Sequence, residues 1–372
     1  MNEFVITATR SMRGYAKRAA EYVTKFPGFA SFAASMDRID ALTTDRFADG
    51  EREVVINSSI RGKDVILFAS CARNEAGIGV DEAKIELYNA IDALKRAQAE
   101  RIIVFEPFVS CSRSDRTTRR SSVGLWVHLK ILSSLGAKHF VTYQLHSDKS
   151  KTMIDPVVSS MDDIPALTLL KQRLCDVYIK NVDTLINTVR PNWAFCSVDA
   201  GGEKLARRFS NSFGVSLVVA HKQRDYSKCN TVECIDILSS EPVEGKTLWI
   251  VDDMIDTAGS VVSLVNALRP LKPAEINLMA VHAVFSPPAA ERLRHLAGEG
   301  LLRHIVVTDT VSCSAGIDSP SLEVVPSTEL AARVINTIMN NDSMAKLLRD
   351  FNAEKYLGSP GLFNQRDSDE CR

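Results

Sequence analysis

The chain lacks any strong excess of one charge: 45 Lys and Arg face 46 Asp and Glu, a formal net charge of −1 over 372 residues. With no basic tail either, nothing in the charge pattern argues for nucleic acid or an anionic membrane as the main partner. No apolar run reaches bilayer-spanning length, and the first residues carry no charged-then-apolar leader pattern. The eight cysteines have no paired spacing; the closest, Cys229 and Cys234, have four residues between them and no His nearby to complete a zinc set. Reduced thiols in a cytoplasmic protein are the expectation. What the chain does have is ordinary globular material, 45% hydrophobic and 24% charged, in a length sufficient for about two domains.

Strand-like and helix-like stretches alternate, the pattern of an α/β sheet with helices on both faces. Leu87, Ala90, Ile91 and Leu94 fall at helical spacing within 81–100 and lead into the buried-strand run Ile102–Phe105. A second helical pattern over 123–135 stops at Gly136, a natural C-cap, and the strand Phe140–Tyr143 follows. Residues 147–165 are rich in Ser, Asp and Pro and hold the expected junction. Beyond it come a helix over 166–188, a strand over 193–198, a helix from Gly202 to Phe213 and a strand over 215–220. Residues 222–231 are polar without a period and read as a mobile loop, and the segment beyond 351 as a frayed polar tail. A strand, a polar loop and a helix occur in both halves, at 102–136 and at 247–269, which suggests two copies of one fold. Ser240–Thr247 nearly spells a phosphate-binding loop, but Ser240 replaces the first Gly, two Glu intrude and a strand follows. It reads as a turn.

The most informative run is Ile250-Val-Asp-Asp-Met-Ile-Asp-Thr-Ala-Gly-Ser260. It joins the apolar strand Thr247–Val251 to an amphipathic segment through Val262, Leu264, Val265 and Leu268. A strand that turns through such residues into a helix aims unsatisfied N–H groups, and the positive end of the helix dipole, at one spot. Thr257, Gly259 and Ser260 suit a phosphate cradle. Asp252 and Asp253 suit acceptors for vicinal hydroxyls or ligands for a hard cation. The implied ligand carries phosphate at one end and hydroxyls at the other, as a sugar phosphate does. A plain helix cap would need one acid and leaves the others unexplained.

This run closely resembles the 5-phosphoribosyl-1-pyrophosphate (PRPP) motif of type I phosphoribosyltransferases, in the form typical of ribose-phosphate pyrophosphokinases. Further resemblances follow in family order: Phe47-Ala-Asp-Gly-Glu51, Asn57-Ser-Ser-Ile-Arg-Gly62, Arg113-Ser-Asp115, Gln144-Leu-His146, Ser197-Val-Asp-Ala-Gly-Gly202 and His221-Lys-Gln-Arg224. Together they cover roughly residues 45 to 310. The resemblance implies two tandem type I phosphoribosyltransferase-like domains, 1–160 and 161–350, each a mainly parallel sheet flanked by helices, before a tail over 351–372. It implies an enzyme that moves the pyrophosphoryl group of ATP to ribose 5-phosphate, with Mg2+ as cofactor, in a homo-oligomer that is often a hexamer. The sugar phosphate would rest on Asp252, Asp253, Asp256, Thr257, Ala258, Gly259 and Ser260. Phe47, Asp49, Glu51, Arg113, Asp115 and His146 would meet ATP, His146 and Asp199 would hold the metal, and Lys222, Arg224 and His146 would serve catalysis.

On the residues alone, His146 also reads as a surface group, Asp199 as a helix cap, and Lys222 and Arg224 as solvated loop charges. Ser114 stands where the family has Gln, and Gln144 where it has Asp, which loosens the adenine contacts more than the sugar site. Two other readings share the motif: a phosphoribosyltransferase that consumes PRPP, and a non-catalytic subunit associated with PRPP synthetases.

Overall fold

The protein is described by a computed structural model over residues 3–29, 39–72, 74, 77–117, 120–224, 233–312 and 319–358. Contacts divide it into two units. The first comprises Met1–Pro165, Thr310–Ala315 and Pro326–Leu348, and the second Ala166–Asp309, Gly316–Val325 and Arg349–Arg372.

The first unit opens with β1 (Phe4–Ala8) and α1 (Arg13–Val23), then a hairpin of β2 (Leu42–Arg46) and β3 (Arg52–Ile56). There follow β4 (Asp64–Phe68), α2 (Val80–Arg96), β5 (Ile102–Glu106), α3 (Gly124–Leu135), β6 (Ala137–Tyr143) and β7 (Ser160–Ile164). Five strands form one parallel sheet in the order β1-β4-β5-β6-β7, and β2–β3 stand as a separate antiparallel pair. Every residue of β1, β4 and β5 is buried, as expected for a sheet covered on both faces. α2 carries Asp81 and Glu82 in its first turn and Lys95 and Arg96 in its last, matching the dipole at both ends. α3 ends at Gly136 with φ 111°, the left-handed cap the sequence predicts.

The second unit begins with α4 (Leu167–Arg173). Wider π-helical turns link it to short α5 (Val182–Thr184) and α6 (Arg190–Asn192), where the sequence pattern reads as one helix. Then come β8 (Trp193–Ser197), α7 (Glu203–Phe213), β9 (Ser216–Arg224), β10 (Glu233–Ser239), β11 (Thr247–Ile255), α8 (Gly259–Leu268), β12 (Glu275–Ala283), α9 (Ala289–Gly298), β13 (Ile305–Thr308) and β14 (Leu322–Val325). The sheet order is β10-β9-β8-β11-β12-β13-β14, parallel except for the β9–β10 pair. The turn before β11 is the one the failed phosphate-loop pattern implies.

The chain divides differently from 1–160, 161–350 and a tail. After β14 it returns to the first unit, where α10 (Thr328–Met339) packs on α1 and Tyr15 Oη meets Ser327 Oγ at 2.8 Å. The stretch expected to fray instead begins with α11 (Ala353–Gly358), in the second unit. Phe351 and Ala353 are buried, and Arg190 Nη2 pairs with Glu354 at 2.6 Å. These few apolar residues supply the burial that the polar composition of the tail conceals. The rest of the expected tail, and the loop call over 225–231, lie outside the described residues. Lys222 and Arg224 are not in that loop: β9 runs to Arg224, and Lys222 and Arg224 stand opposite Ile235 and Glu233 of β10. Pairing with β10 supplies the backbone partners that a polar sequence does not advertise.

Candidate active site

In the second unit, parallel pairing sets Val251 of β11 opposite Ser197 of β8. Asp252 follows the first directly and Asp199 comes two residues after the second, so both reach the carboxyl edge of the sheet. Open α/β sheets place their ligand groups at that edge. Asp253 is buried, and its N–H donates to Asp252 Oδ1 at 2.9 Å. Burial pushes the Asp252 carboxyl well above the usual carboxylate range, and the charges of Asp253 and then Asp199 push the same way. Such a cluster is unfavourable until a cation or hydroxyl donors share it. Asp199 Oδ1 also accepts from the Gly202 N–H at 3.0 Å, so the capping role and the metal-ligand role are compatible.

The turn after β11 is tight. Ala258 has φ 58° and ψ 13°, a left-handed conformation that costs a non-glycine residue about 1–2 kcal/mol. The first full helical bond runs from Val262 N–H to Ala258 C=O. The amides of residues 259–261 therefore precede the helical ladder and face outward as donors. Thr257 is exposed and Ser260 half-buried at this mouth. Sequence reasoning missed Arg292, on α9. Its Nη1 donates to the Thr257 carbonyl at 2.9 Å, and a Cβ added at Gly259 would stand 3.3 Å from the same nitrogen. Thirty-five residues of separation left no local signal for this brace.

In the first unit, Arg113 and Asp115 lie in the connection from β5 to α3, and His146 comes three residues after β6. β5 and β6 pair in parallel, so these groups belong to one carboxyl edge; Arg113 and His146 are exposed. Ser114 has a structural role: its Oγ accepts from Gly124 N–H at 2.9 Å at the start of α3, and its carbonyl accepts from Leu125. The hydroxyl that replaces the family's Gln thus ties the Arg113–Asp115 turn to a helix N-terminus. Gln144 sits at φ 43° and donates its N–H to Ile164 C=O.

Phe47–Glu51 forms the tip of the β2–β3 hairpin, away from the five-stranded sheet. Phe47 N–H donates to Glu51 C=O, Glu51 N–H donates to Asp49 Oδ1, and Gly50 takes φ 101° to close the turn. Phe47 is 53% exposed, an aromatic face presented outward. The predicted residues therefore form four groups: the acids and turn of the second unit, Lys222 and Arg224 on its β9, the Arg113–His146 edge of the first unit, and the hairpin tip.

A doubly represented parallel sheet with an acid-pair strand turning into a phosphate-type helix start defines a phosphoribosyltransferase-type protein. Family models agree: the N-terminal domain of ribose phosphate pyrophosphokinase matches residues 5–136, and the phosphoribosyl transferase domain matches 170–300. A ribose-phosphate pyrophosphokinase of Mycobacterium leprae is 33% identical over 303 residues, 81% of this chain and 85% of the relative. One from Burkholderia pseudomallei is 31% identical, covering 82% and 88%. The crystal structure of phosphoribosylpyrophosphate synthetase from Mycobacterium smegmatis superposes with TM-score 0.75 at 26% identity, over 91% of this chain and 99% of that one. The chain belongs to the ribose-phosphate pyrophosphokinase family.

Proposed function

We propose that this chain transfers the β,γ-pyrophosphoryl group of ATP to the anomeric hydroxyl of ribose 5-phosphate, giving PRPP and AMP for nucleotide biosynthesis. The observation that carries the reading is the acid pair Asp252–Asp253 near the end of β11, with four residues between it and the donor-rich turn at Ala258–Ser260. The turn of Asp256, Thr257, Ala258, Gly259 and Ser260 holds the 5-phosphate by backbone N–H groups and hydroxyls. Asp252 and Asp253 accept from the ribose hydroxyls and so orient the sugar for attack. Phe47 stacks on adenine, with Asp49 and Glu51 accepting from its amine, while Arg113 and Asp115 meet the nucleotide from the β5–α3 loop. Lys222 and Arg224 bring positive charge to the group in flight, stabilising it without a covalent intermediate.

The donor set fits Mg2+, because carboxylate oxygens are the ligands hard cations prefer and the raised Asp252 carboxyl marks a spot where positive charge is favoured. His146 and Asp199 would hold the ion. When bound, it neutralises charge on the triphosphate. We place the protein in the cytoplasm as a homo-oligomer, hexameric by family resemblance, in which the exposed Phe47 tip completes the adenine pocket of a neighbouring copy. No helix among the described residues is long and apolar enough to cross a membrane.

The test is AMP release from ATP with and without ribose 5-phosphate and Mg2+. AMP should form only with both present. Loss of added PRPP to a nucleobase, with no AMP formed from ATP, would assign the phosphoribosyltransferase activity instead.

A further inference from the structure

Beneath the carboxyl edge of the first sheet lies a buried polar cluster that none of these steps uses. Cys71 comes three residues after β4, Glu106 ends β5, and His128 belongs to α3; their exposures are 0%, 2% and 1%. One ligating atom from each lies within 4.8 Å of the other two. His128 Nε2 is 2.9 Å from Glu106 Oε2, and the Cys71 thiol lies beside the same carboxylate. On the far side of the ring, His128 Nδ1 is 3.0 Å from Tyr88 Oη of α2. Leu87, Leu125 and Leu129 belong to the apolar core into which the cluster is set.

A closed hydrogen-bond network is the simplest account, and it is incomplete. Glu106 Oε1 is buried with no hydrogen-bond partner among the described residues. The nearby ammonium of Lys84 is directed at Cys111 Sγ, 3.2 Å away. A carboxylate in an apolar core with one oxygen bare calls for a positive partner.

We propose that Cys71 Sγ, Glu106 and His128 Nε2 are three protein ligands of a zinc-class divalent cation site. Thiolate and imidazole are the donors that select such ions over Mg2+, so the site differs in kind from the oxygen cluster of the second unit. Thiolate, carboxylate, neutral imidazole and a divalent cation sum to zero charge, which a buried site tolerates. Zinc bond lengths bring tetrahedral ligand atoms to about 3.3–3.8 Å from one another, so the 2.9 Å Nε2–Oε2 pair opens slightly to admit the ion while the Cys71 thiol, within 4.8 Å of both, adjusts around it. Before loading, Cys71 is a thiol, His128 Nε2–H donates to Glu106, and His128 Nδ1 accepts from Tyr88 Oη. On loading, the Cys71 proton leaves to solvent. The imidazole proton moves from Nε2 to Nδ1 and is donated to Tyr88 Oη, the outer hydrogen bond that metal-bound histidines make. One proton is released per cation, with no change of oxidation state.

The test uses the full-length protein, stripped with chelator and titrated with Co2+ in buffer containing Mg2+. The expected result is one thiolate-bound Co2+ per chain, seen as a sulfur-to-cobalt charge-transfer band with tetrahedral d–d bands, and one proton released. Cys71→Ser should remove the charge-transfer band, and Glu106→Gln, measured as an independent variant, should lower Co2+ affinity about tenfold or more. Absence of the band in the wild-type chain, or its full persistence in Cys71→Ser, would overturn the assignment; the second result would move the metal to other thiols. Unchanged Co2+ affinity in Glu106→Gln would likewise remove Glu106 from the ligand set.

Discussion

In chain order, β1-β4-β5-β6-β7 of the first sheet and β8-β11-β12-β13-β14 of the second are the same parallel run, so β4 and β11 hold equivalent places. Their ends differ in chemistry. β11 carries Asp252 and Asp253 in its last four residues and reaches α8 through three residues, with Asp252 half-buried, Asp253 buried and the two side by side. β4 finishes in apolar Phe68 and passes through Ala69, Ser70 and Cys71, all buried, and the next helix among the described residues begins at Val80. This topology also corrects the pairing of halves suggested by periodicity: the counterpart of 247–269 is β4 with α2, one strand earlier than 102–136. Fold duplication therefore conserves the place of a site without conserving its contents. A short turn leaves helix amides facing outward and keeps the acids available to a ligand. A longer path lets side chains close over the strand end and turns the same position into core.

The largest effect that separates the two ends should come from the strand that borders the acid cluster. If Lys222 and Arg224 act on the transition state, each Ala variant should lose about 10²-fold or more in kcat with little change in KM, the scale of a missing oxyanion donor. Steady-state kinetics decide, and poor ATP binding with normal turnover would reassign both residues to substrate capture.

Next come the acids themselves. Asp252→Ala or Asp253→Ala should raise the ribose 5-phosphate requirement by about 1–3 kcal/mol, the scale of a charge-assisted hydrogen bond. Cys71→Ser, at the equivalent end of β4, should leave it unchanged; an equal loss there would break the contrast. Asp252 also has a pH signature. Its carboxyl titrates above its unfolded value, so the native state binds the extra proton and the ligand-free chain loses stability as pH rises through that range. Asp252→Asn should flatten this slope in thermal melts while impairing sugar binding, whereas an unchanged slope would remove Asp252 from the strained cluster.

Phe47→Ala should weaken ATP by about 1–3 kcal/mol, the range for base stacking, with ribose 5-phosphate little affected. Mixing it with Lys222→Ala protein should restore part of the activity if the pocket is shared between copies. No recovery despite verified subunit exchange would place both residues at one copy's site. The smallest effect is expected at Ser114→Ala, which removes the acceptor for Gly124 N–H. About 1 kcal/mol of stability should be lost, as for other capping groups, and Ser114→Asn should recover part of it.

The amphipathic helices, the buried strand runs and the Gly136 cap were legible because each depends on residues a few positions apart. Arg292 was not, since it meets Thr257 only after α9 folds back beside the loop. The loop expected over 222–231 starts too early for a related reason: a strand edge is stabilised by its partner strand, and β10 pairs with β9 as far as Arg224, where polarity alone suggests a loop.

The acid-pair motif and its turn are determined by the sequence itself, because a strand end, three acids and a helix start within eleven consecutive residues have few physical alternatives. The Cys71–Glu106–His128 cluster was decided by tertiary structure alone. No local spacing relates those residues, and the cysteines show no metal pattern along the chain. They meet because β4 and β5 pair in parallel and α3 packs over their ends. Side-chain proximity across a parallel sheet is set by register and helix packing, which connect residues that the chain itself holds far apart.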